Sequence, residues 1–275
     1  TSFDPEATFY DFLGGDSVNA DYKLLLNALY DSSPQTESNT ELNLKLSVGF
    51  KGNPNLGGTI FNMLKHERGF SDVLNEIRDT DYTFFVSSIF GGNGSSGFPA
   101  LLNLFKTHRD NQGVPGKKGA LTVLPYFDVK TPQEGGAIDS KVFNSKSKAA
   151  LSYYAEDNTI NNINAHYYIA DNKRVMYPYS EGGERNEATN ETGQVNEANA
   201  VEFFGALSIV DFCNKSPNEL AQSNKYGFGL NMSTDTLNGV GDDEIHIGHF
   251  KSINSYTKVI EPFTKFAFMV RYFDE

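Results

Sequence analysis

The feature that most constrains the fold is an apolar run that leads directly into a glycine-rich turn. Residues 83–90 read TFFVSSIF, residues 91–97 read GGNGSSG, and Leu101, Leu102 and Phe105 then recur at helical spacing. A short apolar run rich in aromatic and β-branched residues predicts a buried strand. Glycines directly after it let the backbone turn tightly into the next element. The sequence therefore predicts a strand, a glycine turn and a helix in succession.

The same alternation continues toward the C-terminus. Residues 120–127 and 166–170 predict two further buried strands, and residues 144–155 and 195–212 predict helices. In the second helix, Val201, Phe204, Gly205, Ser208 and Phe212 share one face. Strands that alternate with helices of this length indicate a parallel sheet between helical layers. The expected fold class is α/β with a mainly parallel sheet.

The flanking segments show other patterns. Tyr22, Leu25 and Leu29 recur at helical spacing, whereas Leu42, Leu44, Leu46 and Val48 alternate and predict a strand over residues 41–50. Residues 245–250 and 263–273 predict strands of a second, mixed sheet, and residues 214–243 predict loops. The expected domains are a helical extension over 1–40, a main domain over 41–213 that ends in the helix 195–212, and part of a second domain over 214–275.

Composition excludes several classes of function. The net charge of −12 argues against nucleic-acid binding, and the short basic stretch at residues 141–148 is interpreted as solvated surface. No run approaches the roughly 20 apolar residues that span a bilayer, and the N-terminus lacks the pattern of a secretory signal. The single cysteine, Cys213, forms no internal disulfide. We expect a cytoplasmic protein without nucleic-acid or membrane partners.

The glycine turn also has a chemical interpretation. Phosphate oxygens require several backbone N–H donors close together, and glycines permit that approach at the start of a helix, where the dipole favours an anion. The side chains of Ser95 and Ser96 add hydroxyl donors. The turn thus predicts a phosphate site made of Gly91, Gly92, Asn93, Gly94, Ser95 and Ser96. The alternative is a plain strand–helix turn that needs glycine for its geometry.

Two nucleotide-binding patterns compete for this turn. Residues 92–97 satisfy the dinucleotide pattern G-x-G-x-x-G, which expects an acidic residue about 20 residues later at the end of the next strand. Asp128 follows the next predicted strand, but it lies about 30 residues past the loop. The dinucleotide interpretation, an NAD(P)-binding protein, therefore depends on Asp128.

Four segments in order resemble a different family. The first three are the run Gly52-Asn53-Pro54-Asn55-Leu56-Gly57, the strand before Gly91 with its glycine motif, and the strand at residues 119–123. The fourth is the run Ile169-Ala170-Asp171-Asn172-Lys173. All four are similar to the nucleotide loops of the tubulin/FtsZ family. Residues 195–212 then correspond to that family's core helix. The resemblance covers residues 41–213. It implies a Rossmann-like three-layer nucleotide-binding domain with a core helix and part of a second α+β domain.

The resemblance implies specific roles for individual residues. It adds Gly52, Asn53 and Gly57 to the phosphate site, and it assigns Asn172 and one of Asn196 or Asn199 to the ribose and base. It implies GTP or GDP as the ligand, together with Mg²⁺, and head-to-tail self-association of a bacterial-type protein. A GTPase reaction would use an acidic residue from the next protomer.

The sequence also departs from the family's pattern. The opening strand and first glycine loop are missing, and Gly14-Gly15 follows a helical pattern instead. The loop after the core helix, residues 213–219, carries Glu219 as its one acid, at a spacing that does not match. Binding survives such changes more easily than hydrolysis, which also requires a positioned water. The alternative from another class is a non-catalytic nucleotide sensor or scaffold with the same fold.

Other chemistry finds little support in the sequence. His246 and His249 fall on opposite sides of a predicted strand, so we expect no metal site there. No Gly-Lys-Ser/Thr phosphate loop and no Gly-x-Ser-x-Gly turn occur. We assign no catalytic residue from the sequence.

Overall fold

A computed structural model of the chain describes residues 4, 6–17, 19–30, 41–50, 52–64, 67–130, 140–156, 162–170, 175–178, 185–186, 191–192, 200–229, 261–262, 265–266 and 269. The helices are α1 Phe9–Phe12, α2 Ala20–Leu29, α3 Pro54–Leu64, α4 Arg68–Glu76, α5 Gly92–Asn111, α6 Phe143–Glu156 and α7 Ala200–Asn214. The strands are β1 Tyr82–Ser88, β2 Lys117–Val123, β3 Phe127–Lys130, β4 Ala165–Ala170, β5 Val175–Pro178, β6 Arg185–Asn186, β7 Glu191–Thr192 and β8 Asn224–Gly229.

Four strands form a parallel sheet in the order β1-β2-β4-β8. The register aligns Phe85 with Ala120 and Ala120 with His166. The helices α5, α6 and α7 lie in the three crossovers between successive strands. Parallel neighbours need such crossovers because their connection must return to the same end of the sheet. The predicted α/β class with a parallel sheet is confirmed, and β1, β2 and β4 begin or end within a few residues of their predicted bounds.

Neighbouring residues of β1 show that helices cover both faces of the sheet. Phe84 packs against Phe212 of α7, with ring centroids 5.3 Å apart. Phe85 points to the opposite face and packs against Phe105 of α5 at 4.9 Å. This alternation follows from the two-residue period of a strand. Helix α7 therefore covers one face, while α5 and α6 cover the other.

The predicted core helix is confirmed over its described residues. Val201, Phe204, Ser208 and Phe212 of α7 are buried, as the shared face predicts. Val201, Phe204 and Phe212 belong to one apolar cluster with residues of β2 and β4, namely Leu121, Ala165, Tyr167 and Ile169. This cluster forms the core of the α7 face.

The strand predicted for residues 41–50 is wrong. Leu42, Leu44 and Leu46 are buried in alternation, as predicted, but the backbone forms two 3₁₀ turns, Glu41–Asn43 and Leu46–Val48. Only one bridge, between Thr8 and Lys45, pairs this segment with other backbone among the described residues. A strand needs a continuous partner, and here the leucines instead insert into a separate core with Phe9, Leu13, Leu26, Phe50, Leu56 and Ile60.

The C-terminal part also departs from its predicted pattern. Strand β8 lies where we expected a loop, and it extends the main sheet beyond residue 213. Residues 265–266 and 269 are helical rather than part of the strand predicted for 263–273. A short apolar run fits either structure, and Phe266 and Met269 are spaced as on a helix. The strand predicted for residues 245–250 lies outside the described residues.

Candidate functional site

A cavity of about 600 Å³ opens beside the carboxyl ends of β1 and β2. Its walls come from both strands, the glycine turn, the segment after β2, and helices α6 and α7. The lining residues are Gly52, Val86, Ser87, Ser88, Phe90, Gly91, Leu121, Val123, Tyr126, Phe127, Phe143, Val201, Glu202, Gly205, Ala206 and Ile209. Open parallel sheets bind their ligands at this edge, because the loops that follow the strands converge there.

One part of the cavity wall is polar and made largely of backbone. Gly91 has extended backbone, with φ −91° and ψ 170°, and immediately precedes the first residue of α5. Helix α5 therefore begins at the cavity wall, beside Ser87 and Ser88. The first amides of a helix have no partner within the helix, and its dipole is positive at this end. This wall favours an anionic group.

Another part of the wall is aromatic. The ring of Phe90 lies 4.9 Å from that of Phe143 and 5.4 Å from that of Phe127, between centroids. The Tyr126 hydroxyl donates a hydrogen bond of 3.2 Å to a carboxylate oxygen of Glu202 in the first turn of α7. Such a wall suits a flat, largely apolar group with one polar edge.

The two predicted glycine segments lie side by side. A Cβ on Gly92 would lie 2.8 Å from the Phe50 Cβ and 3.2 Å from the Gly52 backbone nitrogen. The Phe50 N–H donates to the Asn93 side-chain oxygen at 3.2 Å. The fold thus joins residues about 40 positions apart in the sequence, as the predicted phosphate site requires.

The upstream segment differs in structure from the predicted loop. Helix α3 already begins at Pro54, and the Asn53 side-chain oxygen accepts from the Asn55 N–H at 3.0 Å, which caps the helix. Gly57 lies inside α3, where a Cβ would overlap the Ser96 hydroxyl. Of the predicted residues Gly52, Asn53 and Gly57, only Gly52 lines the cavity.

The two serines of the motif donate within their own helix. The Ser96 hydroxyl donates to the Gly92 carbonyl oxygen at 2.6 Å, and the Ser95 hydroxyl donates to the Gly91 carbonyl oxygen. Neither serine lines the cavity beside β1 and β2, and both line a second cavity of about 550 Å³. Of residues 91–96, Gly91 alone lines the first cavity, so a ligand there meets backbone just before α5 rather than these hydroxyls.

Gly94 has a packing role. A Cβ at this position would overlap the Ser88 carbonyl oxygen at the end of β1, and the Ser87 hydroxyl donates to the Gly94 carbonyl oxygen at 2.9 Å. Glycine at 94 therefore lets α5 approach the strand. Glycine at 94 thus has the role that a structural turn requires, whereas Gly91 lines the cavity.

The remaining predicted site residues divide into two groups. Asn172, Asn196 and Asn199 lie outside the described residues. Asp128 lies in β3 and does not line the cavity. The dinucleotide interpretation therefore gains no support from the position of this carboxylate.

Sequence reasoning missed most of the cavity wall. Tyr126 and Phe127 follow β2, and aromatic residues just after a parallel strand are a usable signal because the carboxyl ends of such strands form ligand sites. Phe143 and Glu202 carry no comparable local signal. Their positions depend on how α6 and α7 pack against the sheet.

A set of buried polar side chains lies on the face of the sheet that α5 and α6 cover, and one of them contacts the glycine turn. The Tyr154 hydroxyl donates to the Ser95 carbonyl oxygen at 3.2 Å, and burial is the main cause that raises the pKa of Tyr154. The fully buried His166 pairs with the Thr122 hydroxyl at 2.7 Å and with the Tyr168 hydroxyl at 3.1 Å. Burial raises the pKa of Tyr168 to about 12. These hydroxyls stay neutral at physiological pH, and the hydrogen bonds join α6 to α5 and β2 to β4.

The described residues contain no group of three or more His, Cys, Asp or Glu side chains able to bind a metal ion. Among the described residues, Glu202 is the single carboxylate that lines the cavity. The Mg²⁺ that the resemblance implies therefore finds no protein ligand set in this part of the chain, and we assign it no step.

Within the described residues, none of the helices combines the length and apolar character that a membrane crossing requires. Comparison of the chain with protein-family models, with curated proteins and with solved structures gave no match. The site is therefore interpreted from its own geometry.

Proposed function

We propose that this chain is a purine-nucleotide-binding protein with a Rossmann-like main domain, and that GTP or GDP occupies the cavity beside β1 and β2. The observation that carries the proposal is the combination of two walls in one cavity of about 600 Å³. The start of α5 offers amide donors to phosphates, and the aromatic wall offers stacking area to a base. The ordered resemblance to tubulin/FtsZ loops favours a guanine nucleotide.

The cavity supports binding more than hydrolysis. Hydrolysis requires a group that positions the attacking water and stabilises developing charge. Glu202, the one lining carboxylate, accepts a hydrogen bond from Tyr126 on the aromatic wall. We therefore propose hydrolysis only in the form that the resemblance implies, with an acidic residue supplied by a second copy associated head to tail.

A second candidate function is a nucleotide sensor or scaffold without catalysis. The observation that favours it is that residues of the glycine motif and of α3 have structural roles. Gly94 and Gly57 serve packing, and both motif serines donate within α5. A fold that keeps its cavity but lacks a placed acid would bind a nucleotide and change its contacts without turnover.

The test uses a substitution that separates binding from folding. A Cβ on Gly91 would contact only the Ser88 hydroxyl, at 3.5 Å, so Gly91→Asp is sterically tolerated. Aspartate is a favoured residue before a helix, so we expect stability equal to wild type or higher by about 0.5–1 kcal/mol. Its carboxylate would occupy and repel the phosphate position, so nucleotide binding should be lost. Gly94→Ala is less informative, because it disturbs the packing against β1.

Thermal unfolding of both proteins is measured with GTP, GDP, ATP and NAD, each with Mg²⁺. A ligand at 100 times its dissociation constant stabilises the wild type by about 2.7 kcal/mol. Gly91→Asn, which caps the helix without a charge, is the matched control and should lose less affinity than Gly91→Asp. A GTP-selective shift that Gly91→Asp abolishes supports the proposal. No shift with any nucleotide, or an equal shift in both proteins, contradicts it, and an NAD-selective shift favours the dinucleotide alternative. Turnover above that of Gly91→Asp separates a GTPase from a scaffold.

A further inference from the structure

We propose that Lys146 of α6 is the cation that receives the anionic end of the ligand, so that the phosphates lie beside Gly52 and Gly91 and the base lies against the aromatic wall. This inference rests on the proposed nucleotide function. Lys146 belongs to the basic stretch that the sequence suggested was solvated surface, but its side chain is only partly exposed.

The ammonium group of Lys146 lies directly behind the cavity wall. Its Nζ donates a hydrogen bond of 2.5 Å to the Gly52 carbonyl oxygen, and Gly52 lines the cavity. A Cβ on Gly52 would lie 3.4 Å from Nζ. The ammonium therefore contacts the backbone of a residue that lines the cavity, although Lys146 itself lines a neighbouring cavity of about 550 Å³.

The conformation of Gly52 maintains this arrangement. Its φ of 76° falls in the left-handed region, which side-chain-bearing residues seldom adopt. Its backbone nitrogen also lies 3.2 Å from where a Cβ on Gly92 would be. Two features that favour an anion thus lie close together: the ammonium and the start of α5.

The charge on the other walls of the cavity favours the same orientation of the ligand. Among the described residues that line the cavity there is no Lys or Arg, and Glu202 on α7 is the one charged side chain. A phosphate chain placed along α7 would lie beside this carboxylate, whereas one placed beside Gly52 would lie nearer to the Lys146 ammonium. The electrostatics therefore favour one orientation of an anionic ligand.

The decisive substitution is Lys146→Gln, because glutamine keeps an N–H donor for the Gly52 carbonyl and removes the charge. Lys148→Gln is the matched control, since Lys148 lies on the same helix and is exposed. Dissociation constants are measured for GTP, GDP and guanosine by titration calorimetry. We expect Lys146→Gln to weaken GTP binding by about tenfold or more and guanosine binding by no more than about twofold. Lys148→Gln should stay within about twofold of wild type for all three, and Lys146→Arg should retain most GTP affinity.

Unfolding without ligand establishes that each variant is folded, and Lys146→Met is the second charge-removing variant should the glutamine variant not fold. Equal GTP affinity in wild type and in both charge-removing variants overturns the role of Lys146 and leaves the proposed function intact. Inorganic tripolyphosphate tests the converse case, in which the role of Lys146 holds but the nucleotide function fails. If it stabilises wild type but not Lys146→Gln while no nucleotide binds, the anion site stands and the nucleotide function fails. If neither probe binds wild type, both proposals are wrong.

Discussion

The two faces of the central sheet differ in how completely their helices cover β1. On the face of α5 and α6, Phe85 packs between Phe98 and Phe105. On the face of α7, Val86 is 61% exposed, although it is the next residue of the same strand. Helix α7 packs mainly over β2 and β4, and it contacts β1 through Phe212 against Phe84. The candidate cavity lies where the α7 face is incomplete.

This difference separates the stabilising and the ligand-binding parts of the molecule. Two helices fill one face with aromatic rings and the buried His166 network. On the other face α7 is the one helix among the described residues, and lining residues such as Val86 and Ile209 are exposed to solvent. Substitutions on the first face should therefore act on stability, and those around the cavity should act on binding.

We call the face of α5 and α6 the closed face and the face of α7 the open face. The largest effect is expected from Phe98→Ala on the closed face. Phe98 is buried, and its ring packs against Phe85, Tyr154 and His166 at 5.5–6.2 Å between centroids. Removing such a ring leaves a cavity and should lower the free energy of unfolding by about 3–5 kcal/mol. Urea unfolding followed by circular dichroism measures the change. A loss below about 1 kcal/mol would show that this face is not the closed one.

The next effect concerns binding rather than stability, at Ala206 on the open face. Ala206 is exposed and lines the cavity, so Ala206→Phe should place a ring across its opening. We expect GTP affinity to fall by about tenfold or more, which corresponds to about 1.4 kcal/mol, with stability within about 0.5 kcal/mol of wild type. Val210→Phe, on the same helix but outside the cavity lining, is the control. Unchanged affinity in Ala206→Phe would place the ligand elsewhere.

A smaller effect, on the pH dependence of stability, is expected from Tyr168 on the closed face. The folded-state pKa of Tyr168 is about 12, whereas an unfolded tyrosine ionises near pH 10. The native state therefore retains a proton that the unfolded state releases, so stability is fully present below pH 10 and falls as pH rises toward 12. Tyr168→Phe should be less stable by about 1 kcal/mol at pH 8, through loss of its hydrogen bond, but should fall less steeply above pH 10. Urea midpoints across pH 8–12 test this, and parallel curves would contradict it.

The smallest effect is expected from Val86→Ala. Because its side chain is largely exposed on the open face, the free energy of unfolding should change by no more than about 0.5 kcal/mol. Phe85→Ala, one residue away on the closed face, should cost several times more. Both are compared by urea unfolding. Equal losses at the two positions would remove the distinction between the faces.

Much of the fold is predictable from local patterns, and particular segments show where such patterns fail. Helix α7 was predictable because its buried residues repeat with the period of a helix. Residues 41–50 were not, because alternating leucines fix which side chains are buried but not whether a partner strand exists. Strand β8 was missed since residues 224–229, NKYGFG, are rich in glycine, which is depleted in strands.

The candidate site was predictable to a similar extent. Gly91 of the glycine turn after β1 lies at the cavity, but Gly57 and Gly94 serve helix packing. A glycine in a motif indicates that the backbone comes close to something, and the sequence alone does not say whether that is a ligand or another helix. Tyr126, Phe143, Glu202 and Lys146 entered the site only through the structure.

By itself, the sequence determined that strands alternate with helices, that the strands are parallel and that α5 begins in glycines after β1. These properties depend on local periodicity and on backbone freedom, which neighbouring residues encode. The tertiary structure alone decided that α7 leaves β1 partly uncovered, that Gly52 meets Gly92 and that the Lys146 ammonium lies behind the wall. Those properties depend on contacts between residues far apart in the chain, because only packing fixes the distance between elements that local patterns specify one at a time.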